Sequence, residues 1–148
     1  MRARDLMTST PTVITPDDSI PRSAEVMRNL DVGMLPVVDD LTHRRLIGVI
    51  TDRDIVVRCL ADRGKEECQV RDHMSTSPLV FVGASASLEE ITLLMERYQV
   101  RRVPVVGADL RVIGIVTQAD LARRVGRQHP EIIEEVIERI WTPGALVH

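Results

Sequence analysis

Aromatic residues are almost absent from this chain: Phe81, Tyr98 and Trp141 are its only examples in 148 residues. A core must therefore be built from Val, Ile, Leu and Met. The stacking platforms that single-stranded nucleic acid needs are lacking. A strong charge of one sign is lacking too. The net charge of −3 and pI near 5.8 supply no general attraction to DNA, RNA or an anionic membrane. No apolar run is long enough to span a bilayer, and the N-terminus MRARDLMTST has no apolar stretch of the secretory kind. A soluble cytoplasmic protein with no membrane or nucleic-acid partner is expected.

Cysteine is scarce, with only Cys59 and Cys68, too few for a disulfide framework in a cytosolic chain. With His73 they make a conceivable zinc site, but the spacing is not that of a CxxC pair. The expectation is a buried helix thiol and a loop thiol, with no metal and no cofactor. Also missing are a Ser/His/Asp or Cys/His series in recognisable context, a Walker-type loop, and an acid–histidine cluster of the metal-hydrolase kind. The expectation is a protein that is not an enzyme.

What the chain does have is an internal repeat. Asp5-Leu6-Met7 returns as Asp72-His73-Met74, and Val13 as Val80, both 67 residues on. Pro36-Val37-Val38 returns as Pro104-Val105-Val106 after 68 residues, and Gly48-Val49-Ile50-Thr51 as Gly114-Ile115-Val116-Thr117 after 66. Asp54 matches Asp120. The offset drifts because the loop Asp39–Arg45 is longer than Gly107–Arg111.

Each copy reads β-α-β-β-α. A Ser/Thr/Pro turn leads to a short strand, Thr12–Thr15 or Leu79–Val82. A helix follows with an apolar stripe at Ile20, Ala24, Met27 and Leu30, or at Leu88, Ile91, Met95 and Tyr98. Ser87 and Glu90 make a capping box for the second of these. Two short branched strands come next: Leu35–Val38 and Leu46–Ile50, then Val103–Val106 and Val112–Val116. A second helix starts after Thr51 or Thr117. This is an α/β (α+β) pattern of tandem units, 1–66 and 67–128, expected to pack as one pseudo-two-fold module. Residues 129–148 add a helix with an apolar stripe (Ile132, Ile133, Val136, Ile137, Ile140, Trp141) opposite Glu131, Glu134, Glu135 and Glu138. Pro143-Gly144 should end it. That stripe must be buried, on its own module or on a partner. The acidic polar face argues against a membrane surface.

The twice-occurring Gly-h-h-Thr-x-x-Asp (h apolar), the Asp-Leu-Met and Asp-His-Met boxes and the two Pro-Val-Val strands together resemble CBS (cystathionine-β-synthase) repeats over about residues 1–125. The short chain resembles CBS-pair proteins, including those of the hypoxic-response type. The resemblance implies two related clefts between repeats that bind AMP, ADP, ATP or related adenosyl compounds. It implies that Asp54 and Asp120 take ribose hydroxyls, that apolar strand residues enclose the adenine, here Val13, Val80, Leu35 and Val103, that modules homodimerise, and that they regulate a partner protein.

The residues carry part of this case unaided. Gly in a strand lets a ligand approach the backbone closely. Thr51 and Thr117 suit a helix N-cap, and helix N-termini attract anions. An aspartate one turn in can accept two hydrogen bonds from a vicinal diol. Thr-x-x-Asp is equally a capping box that stabilises a helix with no ligand. Arg53, whose counterpart is Ala119, and Arg101 and Arg102, whose counterparts are Gly33 and Met34, are the phosphate candidates, the alternative being that they are solvated or pair with Asp52 and Glu96. Their asymmetry predicts one preferred site. Arg123, Arg124 and Arg127 read as a solvated face, with a contact for a partner or nucleic acid as the alternative. The competing expectation is a ligand-free dimeric scaffold that works through its C-terminal helix.

Overall fold

The computed structural model describes residues 1–62 and 68–141. Its elements are α1 (Ala3–Leu6), β1 (Thr8–Ser9), α2 (Ile20–Leu30), β2 (Met34–Val38), β3 (Leu46–Thr51), α3 (Asp52–Asp54) running on as a π-helical segment Ile55–Leu60, α4 (Val70–His73), β4 (Val82–Gly83), α5 (Leu88–Tyr98), β5 (Arg102–Val106), β6 (Val112–Thr117), α6 (Gln118–Arg124) and α7 (Pro130–Trp141). The mixed α/β repeat read from the sequence is present.

The chain forms two compact units whose membership crosses the repeat boundaries. The N-terminal unit comprises Thr12–Leu79 and Asp109–Val112. The C-terminal unit comprises Met1–Pro11, Val80–Ala108 and the chain from Ile113 onward. The physical reason lies in the strand pairing. β1, from the start of the first copy, pairs antiparallel with β6 of the second, Thr8 opposite Ile115 and Ser9 opposite Gly114. Ser75, from the start of the second copy, bridges Val49 of the first through two backbone hydrogen bonds of 3.0 and 2.8 Å.

The two units repeat one sheet plan. In the C-terminal unit the strand order is β1-β6-β5-β4, with β4 parallel to β5. In the N-terminal unit β2 and β3 pair antiparallel, Ser75 flanks β3, and Ile14 lies parallel to Val37 on the other side. The first strands are therefore shorter than read from the sequence. Thr12–Thr15 contributes a single bridge at Ile14, and Leu79–Val82 contributes only Val82 before continuing to Gly83.

Helix α2 is capped by Ser19, whose Oγ accepts the Arg22 N–H at 3.1 Å. Helix α5 has the full capping box: the Glu90 N–H donates to Ser87 Oγ at 3.2 Å, and the Ser87 N–H to Glu90 Oε2 at 2.7 Å. Both helices end on a left-handed residue, Asp31 (φ 54°) and Gln99 (φ 51°), as an αL cap does. Their buried faces are rotated from the expected stripes. Ile20, Ser23, Val26 and Met27 go inward on α2, while Ala24 and Leu30 are exposed. On α5 Ile91, Thr92 and Met95 go inward, Leu88 is half-buried and Tyr98 is exposed.

Each unit has an aliphatic core. Leu6, Ile91, Met95, Val103, Val105, Val116, Leu121 and Val125 fill one. Ile14, Ile20, Leu35, Val37, Ile50, Ile55, Cys59 and Val70 fill the other. Helix α7 packs on α5 and α6 within the C-terminal unit, with Val136 buried and Ile132 and Ile133 against the core. The Arg139 guanidinium pairs with Glu96 at 2.5 Å. The expected Pro143-Gly144 stop lies outside the described residues.

Candidate functional site

Both Thr-x-x-Asp motifs stand where an extended strand turns into a helix. Thr51 (φ −116°, ψ 160°) ends β3, and Thr117 (φ −112°, ψ 159°) ends β6. The Asp54 N–H donates to Thr51 Oγ1 at 3.0 Å, and the Thr51 N–H donates back to Asp54 Oδ2 at 3.0 Å. In the second motif the same two bonds measure 3.1 and 2.9 Å, and the Thr117 hydroxyl also donates to Asp120 Oδ2 at 2.9 Å. Both motifs are capping boxes.

The cap occupies one oxygen of each carboxylate. Asp120, only 2% exposed, receives the Arg123 guanidinium on Oδ1 at 2.7 Å. Asp54, 8% exposed, has Arg58 Nε 3.7 Å from Oδ1, and the Ser75 hydroxyl donates to it at 3.4 Å. Arg58 and Arg123 are themselves exposed. Each guanidinium can therefore turn into solvent when a diol takes its place on the carboxylate oxygen.

The predicted residues divide between the units. Thr51, Arg53, Asp54, Val13 and Leu35 belong to the N-terminal unit, and Thr117, Asp120, Arg101, Arg102, Val80 and Val103 to the C-terminal unit. The Gln118 N–H donates to the Arg101 carbonyl at 2.8 Å, which fixes Arg101 beside the start of α6. In the sister unit the Asp52 N–H donates to the Gly33 carbonyl at 2.9 Å. The C-terminal motif thus has Arg101 as its neighbour across the strands, and half-buried Arg102 follows it. The N-terminal motif has Gly33 at that place and exposed Arg53 on its own helix. Val13 and Val80 are half-buried. Leu35 and Val103, at 2% and 0% exposure, are committed to the cores.

The reading of Gly48 and Gly114 as openings for a ligand is corrected. A Cβ on Gly48 would lie 2.9 Å from the Ser75 carbonyl oxygen, and one on Gly114 would collide with the Met7 side chain. The exchanged start segments fill both places.

Sequence reasoning missed Ser75, Arg58 and Arg123 as partners of the motif aspartates. For the two arginines the signal was their spacing of four and three residues from Asp54 and Asp120. Arg123, Arg124 and Arg127 are exposed, as a solvated face would be. With Met1 and Gln128 they border a basin of about 450 Å³, and Arg124 is fixed there by donating to the Asp5 carbonyl at 2.6 Å.

The fold also assembles Cys59, Cys68 and His73, whose spacing did not mark them as a ligand set. The Sγ atoms and a ring nitrogen lie within 4.8 Å of one another. His73 Nε2 is 3.3 Å from Cys68 Sγ, and both cysteines are free. Burial, then the hydrogen bond with Cys68, pushes the Cys59 thiol up to about 11.

Comparison with known proteins places this geometry. Hypoxic response protein 1 of Mycobacterium tuberculosis is 37% identical over 145 residues, covering 97% of this chain and 96% of that one. The crystal structure of Hypoxic Response Protein I, described with two coordinated zinc ions, superposes with a TM-score of 0.75 at 38% identity, over 84% of this chain and 98% of that one. The structure of CBSX2 in complex with AMP gives 0.73 at 32% identity, over 86% and 97%. The CBS domain pair of MJ0100, in complex with 5′-methylthioadenosine and S-adenosyl-L-methionine, gives 0.73 at 26% identity, over 86% and 98%. No helix among the described residues is long and apolar enough to cross a membrane. The sequence model of the CBS domain matches residues 3–60 and 70–127, and with the twin capped aspartates on twin sheets this chain belongs to the CBS-domain family as a pair of CBS repeats.

Proposed function

We propose that this protein is a non-catalytic regulatory module that binds an adenosine-bearing ligand, AMP, ADP or ATP, and signals its occupancy to a partner protein. The observation that carries the reading is the pair of buried aspartates, each holding a helix cap with one oxygen and, among the described residues, facing exposed or weakly held donors with the other. Asp54 and Asp120 would take the ribose diol, supported by Thr51 and Thr117. Val13 and Val80 offer partly exposed apolar surface to the adenine. Leu35 and Val103 would back it from the cores. Arg53 on one side, and Arg101 with Arg102 on the other, would meet phosphate. The ligands of CBSX2 and MJ0100, all built on adenosine, support the ligand class. Repeats 1–66 and 67–128 would act as one module, with 129–148 as an accessory helix, in the cytoplasm.

Differential affinity between two conformations is what would turn binding into a signal. A homodimer would present paired modules to the regulated protein, and exposed Val56, Val57 and Leu60 on the π-helical segment are apolar surface suited to it. The competing scaffold reading, working through the C-terminal helix, is weakened because α7 already buries Val136 on its own unit.

Calorimetric titration with AMP, ADP and ATP tests the reading, repeated on Asp54→Asn and Asp120→Asn. Binding that weakens at least about tenfold in one or both variants supports it, since a charge-assisted hydrogen bond contributes about 1.5–3 kcal/mol. No heat and no thermal shift with any nucleotide overturns it.

A further inference from the structure

The cluster of Cys59, Cys68 and His73 belongs to the N-terminal unit and is independent of the nucleotide reading. Three elements of local structure bring it together. Cys59 sits on the π-helical segment Ile55–Leu60, where the Ala61 N–H donates to the Val56 carbonyl at 3.1 Å across five residues. π-Turns are rare and concentrate at functional sites. The corresponding helix of the other copy, α6, is regular over Gln118–Arg124. Cys68 lies two residues before α4, next to its N-cap Gln69, and is fixed by its backbone, since its carbonyl accepts the Ile20 N–H at 2.9 Å. His73 is the last residue of α4. That short helix is held by the Gln69 N–H on Asp72 Oδ2 at 3.0 Å and the Met74 N–H on the Val70 carbonyl at 2.9 Å.

The internal repeat supplies a control. By the offsets of 66 and 67 residues, the counterparts of Cys59, Cys68 and His73 are Val125, Met1 and Leu6. Val125 and Leu6 are fully buried members of the C-terminal core. The default filling of this corner of the fold is therefore apolar. In the N-terminal unit all three positions carry metal-ligating side chains, and their donor atoms converge. A buried cysteine alone is an ordinary small hydrophobe. Two thiols and an imidazole together, where two of the three counterparts are the buried aliphatic residues Val125 and Leu6 and the third is exposed Met1, are not explained by packing.

We propose that Cys59, Cys68 and His73 form a binding site for one Zn(II) ion per chain, tying the segment that follows Asp54 to helix α4. Two sulfur ligands and one imidazole suit Zn(II) over the hard oxygen-seeking cations. Tetrahedral zinc holds its S and N ligands about 3.5–3.8 Å apart, so the atoms, now within 4.8 Å, close by about 1 Å through side-chain rotation. The fourth position is left to water or a carboxylate.

The experiment uses the full chain, reduced with a phosphine, stripped with chelator and back-titrated with Zn(II), with metal per chain read by elemental analysis. Co(II) serves as the spectroscopic probe. Cys59→Val and His73→Leu copy the sister unit, so the fold accommodates both residue types, and circular dichroism checks each variant. The expected result is one zinc per wild-type chain, a thiolate-to-cobalt charge-transfer band that weakens in Cys68→Ser, and affinity lowered at least about tenfold in each variant, no less than the loss of a supporting partner costs. Reduced wild type that takes up no stoichiometric zinc overturns the proposal. So does zinc binding that Cys59→Val and His73→Leu leave unchanged.

Discussion

At Asp120 one carboxylate both caps a helix and holds Arg123, so removing it touches two properties at once. Asp120→Ala should lower stability by about 1 kcal/mol through the lost cap, read as a shift in the urea midpoint. Arg123→Ala removes only an exposed partner and should cost well under that. Its effect on nucleotide titration should be neutral or favourable, because the diol no longer displaces a guanidinium. Cys59 supports a pH prediction. Its folded-state value is raised from 9.0 to about 11, so the neutral thiol is the favoured form in the folded chain. Its contribution is complete below pH 9 and is lost as pH rises through about 11. Wild type should therefore lose stability relative to Cys59→Val between pH 9 and 11, in denaturant titrations on metal-stripped protein. In the same protein at pH 8, iodoacetamide should alkylate Cys68 before Cys59.

At the scale of elements, the two strand glycines predict different penalties for the same substitution. Gly48→Ala meets a backbone carbonyl, which cannot rotate away, and should cost about 1–3 kcal/mol. Gly114→Ala meets the Met7 side chain, and the double variant Gly114→Ala/Met7→Ala should recover most of the loss in thermal melts. Helix α7 should respond at Val136, where Val136→Ala loses about 1–2 kcal/mol of apolar burial.

These elements also show what sequence could convey. Element type and order were legible because periodicity and Ser/Thr/Asp caps are local signals. The Ser87–Glu90 box and the two Thr-x-x-Asp boxes formed as patterned. The inward face of α2 was not legible, because Ser23, a polar residue satisfied by the Ser19 carbonyl, is buried where Ala24 was expected. The roles of Gly48 and Gly114, and the meeting of Cys68 with Cys59, depend on which distant strand or helix docks beside them. No local pattern encodes that.

For the whole molecule, the exchange of start segments makes the sequence repeat an incomplete folding unit. The fragment 1–66 lacks Ser75 beside β3 and helix α4 against the π-helical segment. The fragment 67–148 lacks β1 and α1, which pack on β6 and α6. Expressed alone, neither should give the dispersed amide spectrum of a folded domain, and mixing the two should restore it. Independent folding of either fragment would show that the exchanged segments are dispensable.

The exchange also decides how a mutational map of this chain will read. Met7 lies early in the first repeat, yet it packs on Gly114, three residues before Thr117. Ser75 lies in the second repeat, yet its hydroxyl reaches Asp54. A phenotype plotted along the sequence will therefore surface in the opposite half of the chain, and lesions near residue 7 should group genetically with those near residue 120 rather than with their neighbours at 51–54.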